Sequence, residues 1–98
     1  MNTQFYFVYV LKSGKDGMFY TGYTSNLNQR IKDHNDGLSP STKHRRPLEL
    51  VYFEASLNKS DALHREKYLK TSYGKRYIKN RMLQYLKLDI SRGGGDQE

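Results

Sequence analysis

Residues Phe5 to Leu11 read Phe-Tyr-Phe-Val-Tyr-Val-Leu, an unbroken run of aromatic, β-branched and aliphatic side chains. The run is too short to cross a membrane and has no helical period. It does not alternate with polar residues, as a half-exposed strand would. Its length and composition predict a strand covered on both faces. A strand of that kind must be paired at its edges and sandwiched by other elements. A chain of 98 residues has enough mass to do this once, around one modest core.

The rest of the chain supplies the covering elements. Ser13-Gly14-Lys15-Asp16-Gly17 is turn chemistry, and Met18 to Tyr23 reads as a second strand, so a β-hairpin is expected. Ser25 or Asn26 can cap a helix in which Leu27, Ile31 and His34 recur at helical spacing, and Gly37 is a suitable stop. Leu38 to Pro47 holds both prolines and the run Lys43-His44-Arg45-Arg46, which makes it a basic loop. Leu48 to Ala55 reads as a third strand. Asn58 can cap a second helix running to about Thr71, with Asp61 favouring its N-terminal dipole. Gly74 interrupts the pattern before a last helix with the apolar stripe Tyr77, Ile78, Met82, Tyr85 and Leu86. Beyond Leu88 the pattern is lost. The expected organisation is one domain over 1–88 and a disordered tail over 89–98. The fold class is α+β: a small, mainly antiparallel three-stranded sheet flanked by helices, in the order β-β-α-β-α-α.

Composition narrows the chemistry. There is no cysteine, which excludes disulfides, thiolate zinc sites and thiol catalysis. His34, His44 and His64 lack metal-ligand spacing, so any bound metal is expected to be a hard, oxygen-seeking ion. The formal net charge of +7 points to a polyanionic partner, most simply DNA or RNA. No apolar run has the length of a membrane span, and the N-terminus lacks the charged start of a signal peptide. A cytoplasmic protein without membrane contact or an obligate protein partner is expected.

Several side chains could carry chemistry. If Lys12 pairs with Gly17 across a four-residue loop, Tyr9 lies opposite Tyr20 on one face of the hairpin; a one-residue slip would separate them. A phenol can orient a water or accept its proton when nearby cations lower its pKa. Packing in a strand is the plainer role of any one tyrosine. Arg30 and His34 are four apart and project from one helix face. Arginine can hold a phosphate bidentately, and histidine can contact a phosphate oxygen or poise a phenol; a solvated polar face is the alternative. Glu66 falls near the middle of a predicted stripe of Ala62, Leu63, Leu69 and Tyr73. An acid there asks for a partner, either an internal cation such as Arg30 or a metal ion. Gly22 ends the second strand, where it could admit a phosphate or another backbone, or simply terminate the strand. Lys43, Arg45 and Arg46 are candidate phosphate-backbone contacts, or a solvated charge run.

Together these residues resemble the GIY-YIG nuclease superfamily. Phe7-Val8-Tyr9 stands where the family has its first tripeptide, and Tyr20-Thr21-Gly22 where it has its second. Arg30 lies ten residues after Tyr20, His34 four beyond that, and Glu66 matches the metal-binding glutamate. The likeness covers about residues 4 to 88 and is nearest to short bacterial proteins made of this domain alone. The domain is also similar to the 3′-incising module of the excision-repair subunit and to that of certain homing endonucleases. Two departures stand out: Phe7-Val8 replaces Gly-Ile, and Tyr23 stands where the excision-repair members carry a lysine. The resemblance implies a divalent-metal-dependent endonuclease acting on DNA more than RNA, in repair or recombination. Its implied catalytic set is Tyr9, Tyr20, Arg30, His34 and Glu66, with Glu66 binding Mg²⁺ or Mn²⁺. Nucleic-acid contacts would come from Gly22, Tyr23, Lys43, Arg45 and Arg46, with Asn80 as the family's supporting asparagine. The alternative is a nucleic-acid-binding module of the same fold with weak or no turnover.

Overall fold

The computed structural model describes residues 3–93. Its three strands are β1 (Tyr6–Ser13), β2 (Phe19–Thr24) and β3 (Leu48–Ser56). The wholly apolar strand takes the central place in an antiparallel sheet of order β2-β1-β3. Its position explains its composition: Val8 and Val10 are buried on one face, Tyr9 and Leu11 on the other. The helices are α1 (Leu27–Asn35), α2 (Lys59–Leu69), α3 (Ser72–Arg81) and α4 (Leu83–Gly93), with a single 3₁₀ turn at Lys43–Arg45. The fold is therefore α+β, with one more helix than the sequence predicts. Among the described residues no helix is long and apolar enough to cross a membrane. The chain divides into two compact units, Met1–Lys67 and Tyr68–Glu98.

In the first unit, the hairpin closes with the Ser13 amide donating to the Met18 carbonyl at 3.0 Å, and Gly17 sits inside the turn at φ +72°. Lys12 therefore pairs with Phe19, not Gly17, which shifts the expected register by two residues. Tyr9 faces Gly22, and Tyr20 faces Leu11. Because side chains alternate with a period of two, an even shift keeps both tyrosines on one face but makes them diagonal neighbours.

The Tyr9 face carries the core. Tyr9, Leu11 and Leu48 are buried together, and Tyr20, Leu27, Ile31 and Leu50 pack against them. Leu27 and Ile31 come from α1, whose N-cap is Asn26; its side chain accepts from the Gln29 amide. Asn35 ties the other end of α1 to β3, donating to the Leu48 carbonyl and accepting from the Leu48 amide at 2.9 and 2.8 Å. Gly37 then turns the chain with φ +79°, a conformation that favours glycine.

Helix α2 starts from Asn58, whose side chain accepts from the Asp61 amide. Arg65 grips Glu54 of β3 with two hydrogen bonds of 2.8 and 3.0 Å, the fork geometry that arginine offers a carboxylate. The predicted apolar stripe is not formed as expected. Ala62 and Leu69 are buried, but Leu63 is exposed, and Tyr73 belongs to another helix because α2 stops at Leu69. Glu66 is half-buried between the Ala62 and Leu69 positions.

In the second unit, Thr71 caps α3 by accepting from the Gly74 amide at 3.1 Å. Gly74 does not interrupt the helix; it lies in the first turn of α3. A Cβ there would fall 2.1 Å from the Tyr68 carbonyl oxygen and 2.4 Å from Leu69 Cα, so the glycine allows α3 to leave α2 closely. The last helix is divided at Met82, which caps α3 before α4 begins. Its predicted stripe survives the break, since Ile78 and Met82 are buried and Tyr77, Tyr85 and Leu86 half-buried. Helix α4 runs to Gly93, into the span 89–98 that the sequence assigns to a tail. Residues 94–98 of that expected tail lie outside the described residues.

Candidate active site

Helix α1 lies over the Tyr9 face of the sheet, and its last turn carries His34 into the core. His34 is fully buried, and both its ring nitrogens are engaged. Nε2 shares a hydrogen bond of 2.8 Å with the Tyr9 phenol, and Nδ1 one of 2.6 Å with Thr42 Oγ1. Burial, and then the charge of Arg30, push the His34 pKa below its ordinary value of 6.5. The ring is therefore neutral at neutral pH, with one nitrogen donating and the other accepting. Two arrangements satisfy that rule. In one, Nδ1 donates to Thr42 and Tyr9 donates to Nε2; in the other, Thr42 donates to Nδ1 and Nε2 donates to Tyr9.

Tyr9 is also buried. Its exposure is 1%, and desolvation raises its pKa, outweighing the hydrogen bond and positive charge of Arg30, which act in the opposite direction. The negative charge of Glu66 adds to the rise. Tyr9 is thus a protonated phenol held on several sides. Tyr20 stands beside it with its ring edge-on to His34 at 5.3 Å between centroids, and Tyr9 meets the same imidazole at 5.7 Å. Unlike Tyr9, Tyr20 is only half-buried. Arg30 is half-buried one turn before His34, and its Nη2 reaches Ser39 Oγ at 3.5 Å, the outer limit of a hydrogen bond.

The structure therefore gathers Tyr9, Tyr20, Arg30 and His34 on one face of the sheet, with Glu66 in electrostatic reach of Tyr9. Glu66 is the acid of this group. Among the described residues, no cluster of three or more His, Cys, Asp or Glu side chains could hold a metal ion by themselves. The donor set fits a hard divalent ion held by one carboxylate and otherwise by water and substrate oxygens. It does not fit an ion enclosed by protein.

Gly22 makes room for a side chain of the neighbouring strand. A Cβ at this position would lie 2.4 Å from Tyr9 Oη and 2.5 Å from Cζ, so the Tyr9 phenol approaches the glycine closely. The second tripeptide needs its glycine so that the tyrosine of the first can lie across the neighbouring strand. Tyr23 pairs with Val8, and strand alternation puts it on the opposite face from Tyr9 and Tyr20. In the basic loop, Arg45 pairs with Asp16 at 3.3 Å, and Arg46 donates to the Lys43 carbonyl at 2.8 Å and lies against Gly37. Both arginines tie the loop together. Lys43 is exposed in the 3₁₀ turn, and Asn80 is exposed on α3.

Sequence reasoning missed Thr42 and Ser39. Thr42 is fully buried, and its amide donates to the Ser39 carbonyl at 3.1 Å, so the loop after Gly37 folds back to present a hydroxyl to His34. The available signal was the run of small hydroxyl residues Ser39, Ser41 and Thr42 ahead of the basic residues. Ser13 was missed as well. It is buried, donates to the Arg45 carbonyl at 2.7 Å and accepts from the Lys15 and Asp16 amides, joining the hairpin turn to the same loop.

Residues 5–87 match the family model described as the GIY-YIG catalytic domain. Among curated proteins, the UPF0213 protein YazA of Bacillus subtilis is 45% identical over 71 residues, which is 71% of each chain. The UPF0213 protein SAV0488 of Staphylococcus aureus is 42% identical over 83 residues, covering 84% of this chain and 94% of that one. Among solved structures, the solution NMR structure of the UPF0213 protein BH0048 from Bacillus halodurans is 34% identical, with a TM-score of 0.48 over 76% of this chain and 81% of that one.

Proposed function

Since the chain belongs to the GIY-YIG catalytic-domain family, we propose that it is a divalent-metal-dependent endonuclease that hydrolyses phosphodiester bonds in DNA, in repair or recombination. The observation that carries this reading is the buried Tyr9–His34–Thr42 hydrogen-bond chain, set beside Arg30 and Tyr20. A buried, neutral imidazole with both nitrogens engaged is more than a strand and helix need in order to pack. It fixes two phenols and a guanidinium relative to one another, as a site for an in-line displacement requires.

The roles follow from exposure and charge. Arg30 is the half-exposed cation and offsets the charge that builds on the phosphate oxygens as the attacking water adds. Tyr20, the phenol with access to solvent, orients that water. Tyr9, buried and held protonated, positions Arg30 and His34. His34 passes no charge in the resting state and holds Tyr9 through Nε2. The divalent ion that the family generally uses would be held by Glu66 and would supply Lewis-acid help to the leaving oxygen. As the P–O bond to the incoming water forms, the bond to the leaving oxygen breaks; the attacking water gives its proton to bulk solvent at the exposed edge of Tyr20, and the leaving alkoxide takes one from solvent to become a hydroxyl.

The test is a cleavage assay on labelled single-stranded, duplex, nicked and branched DNA with Mg²⁺ or Mn²⁺, with a chelator control and Arg30→Ala alongside. The reading requires metal-dependent product that Arg30→Ala reduces strongly. Absence of product on every substrate would overturn it in favour of a nucleic-acid-binding module.

A further inference from the structure

The positive charge of this chain is unevenly placed. Residues 1–67 carry ten Lys or Arg against seven Asp or Glu, whereas Tyr68 to Leu88 contains six Lys or Arg and no acid. Helix α3 concentrates the effect. Gly74 and Ile78 are its buried positions, and at 100° per residue Ser72, Tyr73, Arg76, Lys79 and Asn80 cover the opposite side, with Lys75 on its flank. All six are exposed, Tyr73 by 69%.

A solvated helix face ordinarily mixes its signs, and α1 of this molecule does so: Lys32 bonds Asp36 at 2.7 Å and Gln29 bonds Asp33 at 2.8 Å, each one turn apart. On α3 the same spacings join like charges, Lys75 to Lys79 and Arg76 to Lys79. Each such pair opposes helix formation. The face also leaves a large aromatic ring in water with the Arg76 guanidinium over it, 5.8 Å from the centroid. Several cations of one sign around an exposed ring fit a nucleic-acid strand. An anionic membrane surface fits less well, because Ile78, the aliphatic residue of α3, points inward and the outward face has no aliphatic side chain to insert.

We propose that the outward face of α3 is a nucleic-acid docking surface of its own, with Lys75, Arg76 and Lys79 on the phosphate backbone and Tyr73 stacking on an unpaired base. This rests on the nucleic-acid partner named above, but not on turnover. The test is equilibrium binding of labelled single-stranded and duplex DNA by the full chain in the presence of a chelator, across a salt series. Three proteins are compared: wild type, the variant K75Q/R76Q/K79Q, and the charge-matched control K15Q/K59Q/K67Q. The α3 variant should lose tenfold or more in affinity at low salt, and its log–log salt slope should fall in magnitude by about 2 to 3, as for three lost phosphate contacts. The control should stay close to wild type. Tyr73→Ala should weaken single-strand binding about fivefold or more while sparing duplex binding. Equal losses in the control and the α3 variant would reduce the effect to net charge and overturn the proposal. So would an unchanged α3 variant, or a wild type that binds neither form. Because no cleavage is needed, an inactive enzyme with intact α3-dependent binding would refute the nuclease reading and leave this one standing.

Discussion

Replacing Gly22 with alanine tests the link between the two sequence signatures. In the middle of a strand, Gly→Ala is normally favourable by about 0.5–1 kcal/mol, because alanine has less backbone freedom to lose. Here the sign should reverse. The added Cβ would lie 2.4 Å from Tyr9 Oη and 2.5 Å from Cζ, against an ordinary contact of at least 3.4 Å, so the phenol must retreat by about 1 Å. Tyr9 is 1% exposed and has no open space to enter. A shift of that size would stretch its 2.8 Å bond to His34 beyond hydrogen-bonding range. Overpacking costs about 1–3 kcal/mol, and a lost buried hydrogen bond adds about 0.5–1.5 kcal/mol. Chemical denaturation of Gly22→Ala should therefore show a loss of about 2–4 kcal/mol at an unchanged m-value. In the background of Tyr9→Ala the same substitution should cost much less, and the difference is the coupling. A Gly22→Ala protein within about 0.5 kcal/mol of wild type would refute the argument. So would an equal loss with and without the Tyr9 side chain.

Other consequences can be checked with the same methods. Thr42→Val keeps the shape of the side chain but leaves buried His34 Nδ1 without its 2.6 Å partner, so a loss of about 1–3 kcal/mol is expected, together with altered His34 titration by NMR. An unshifted imidazole resonance would show that Thr42 does not fix the ring. His34 also makes stability depend on pH. Its folded pKa lies below the ordinary 6.5, so the unfolded chain binds the proton more readily, and the contribution of neutral His34 is complete above 6.5 and lost as pH falls below it towards the folded pKa. Unfolding free energy should decline as pH falls below 6.5, and His34→Gln should flatten that slope; an identical slope in the variant would assign the effect to other groups.

The sequence allowed much of this architecture to be read and obscured particular parts for physical reasons. The strand at Phe5 to Leu11 was legible because a residue buried on both faces tolerates no polar interruption. The caps at Asn26 and Asn58 were legible because a short side-chain acceptor at a helix start has a local job. The hairpin register was not, because several residues between Ser13 and Met18 suit a turn, and only the Ser13–Met18 hydrogen bond fixes which ones form it. The α2 stripe failed twice: Leu63 is exposed within the helix, and helical geometry was extended past the helix end. Leu69 closes α2 and Thr71 starts α3, so Tyr73 could not share a face with Ala62. The candidate site was legible where spacing fixes a face, as for Arg30 and His34 one turn apart. It was illegible where the chain folds back, as for Thr42, whose contact with His34 depends on the whole loop after Gly37. Gly22 was singled out for the approach of a phosphate or another backbone; the group that lies against it is the Tyr9 phenol of the adjacent strand, which could not be identified without the register.

The central claim is that Glu66 is the metal-holding acid of a DNA-cutting site. The most direct measurement compares wild type with Glu66→Ala for both binding and cleavage of the same labelled DNA in Mg²⁺ or Mn²⁺. The account predicts that affinity is largely kept while product formation falls by about two orders of magnitude or more, the kinetic equivalent of several kcal/mol of lost transition-state stabilisation. Cleavage by Glu66→Ala at the wild-type rate would contradict it.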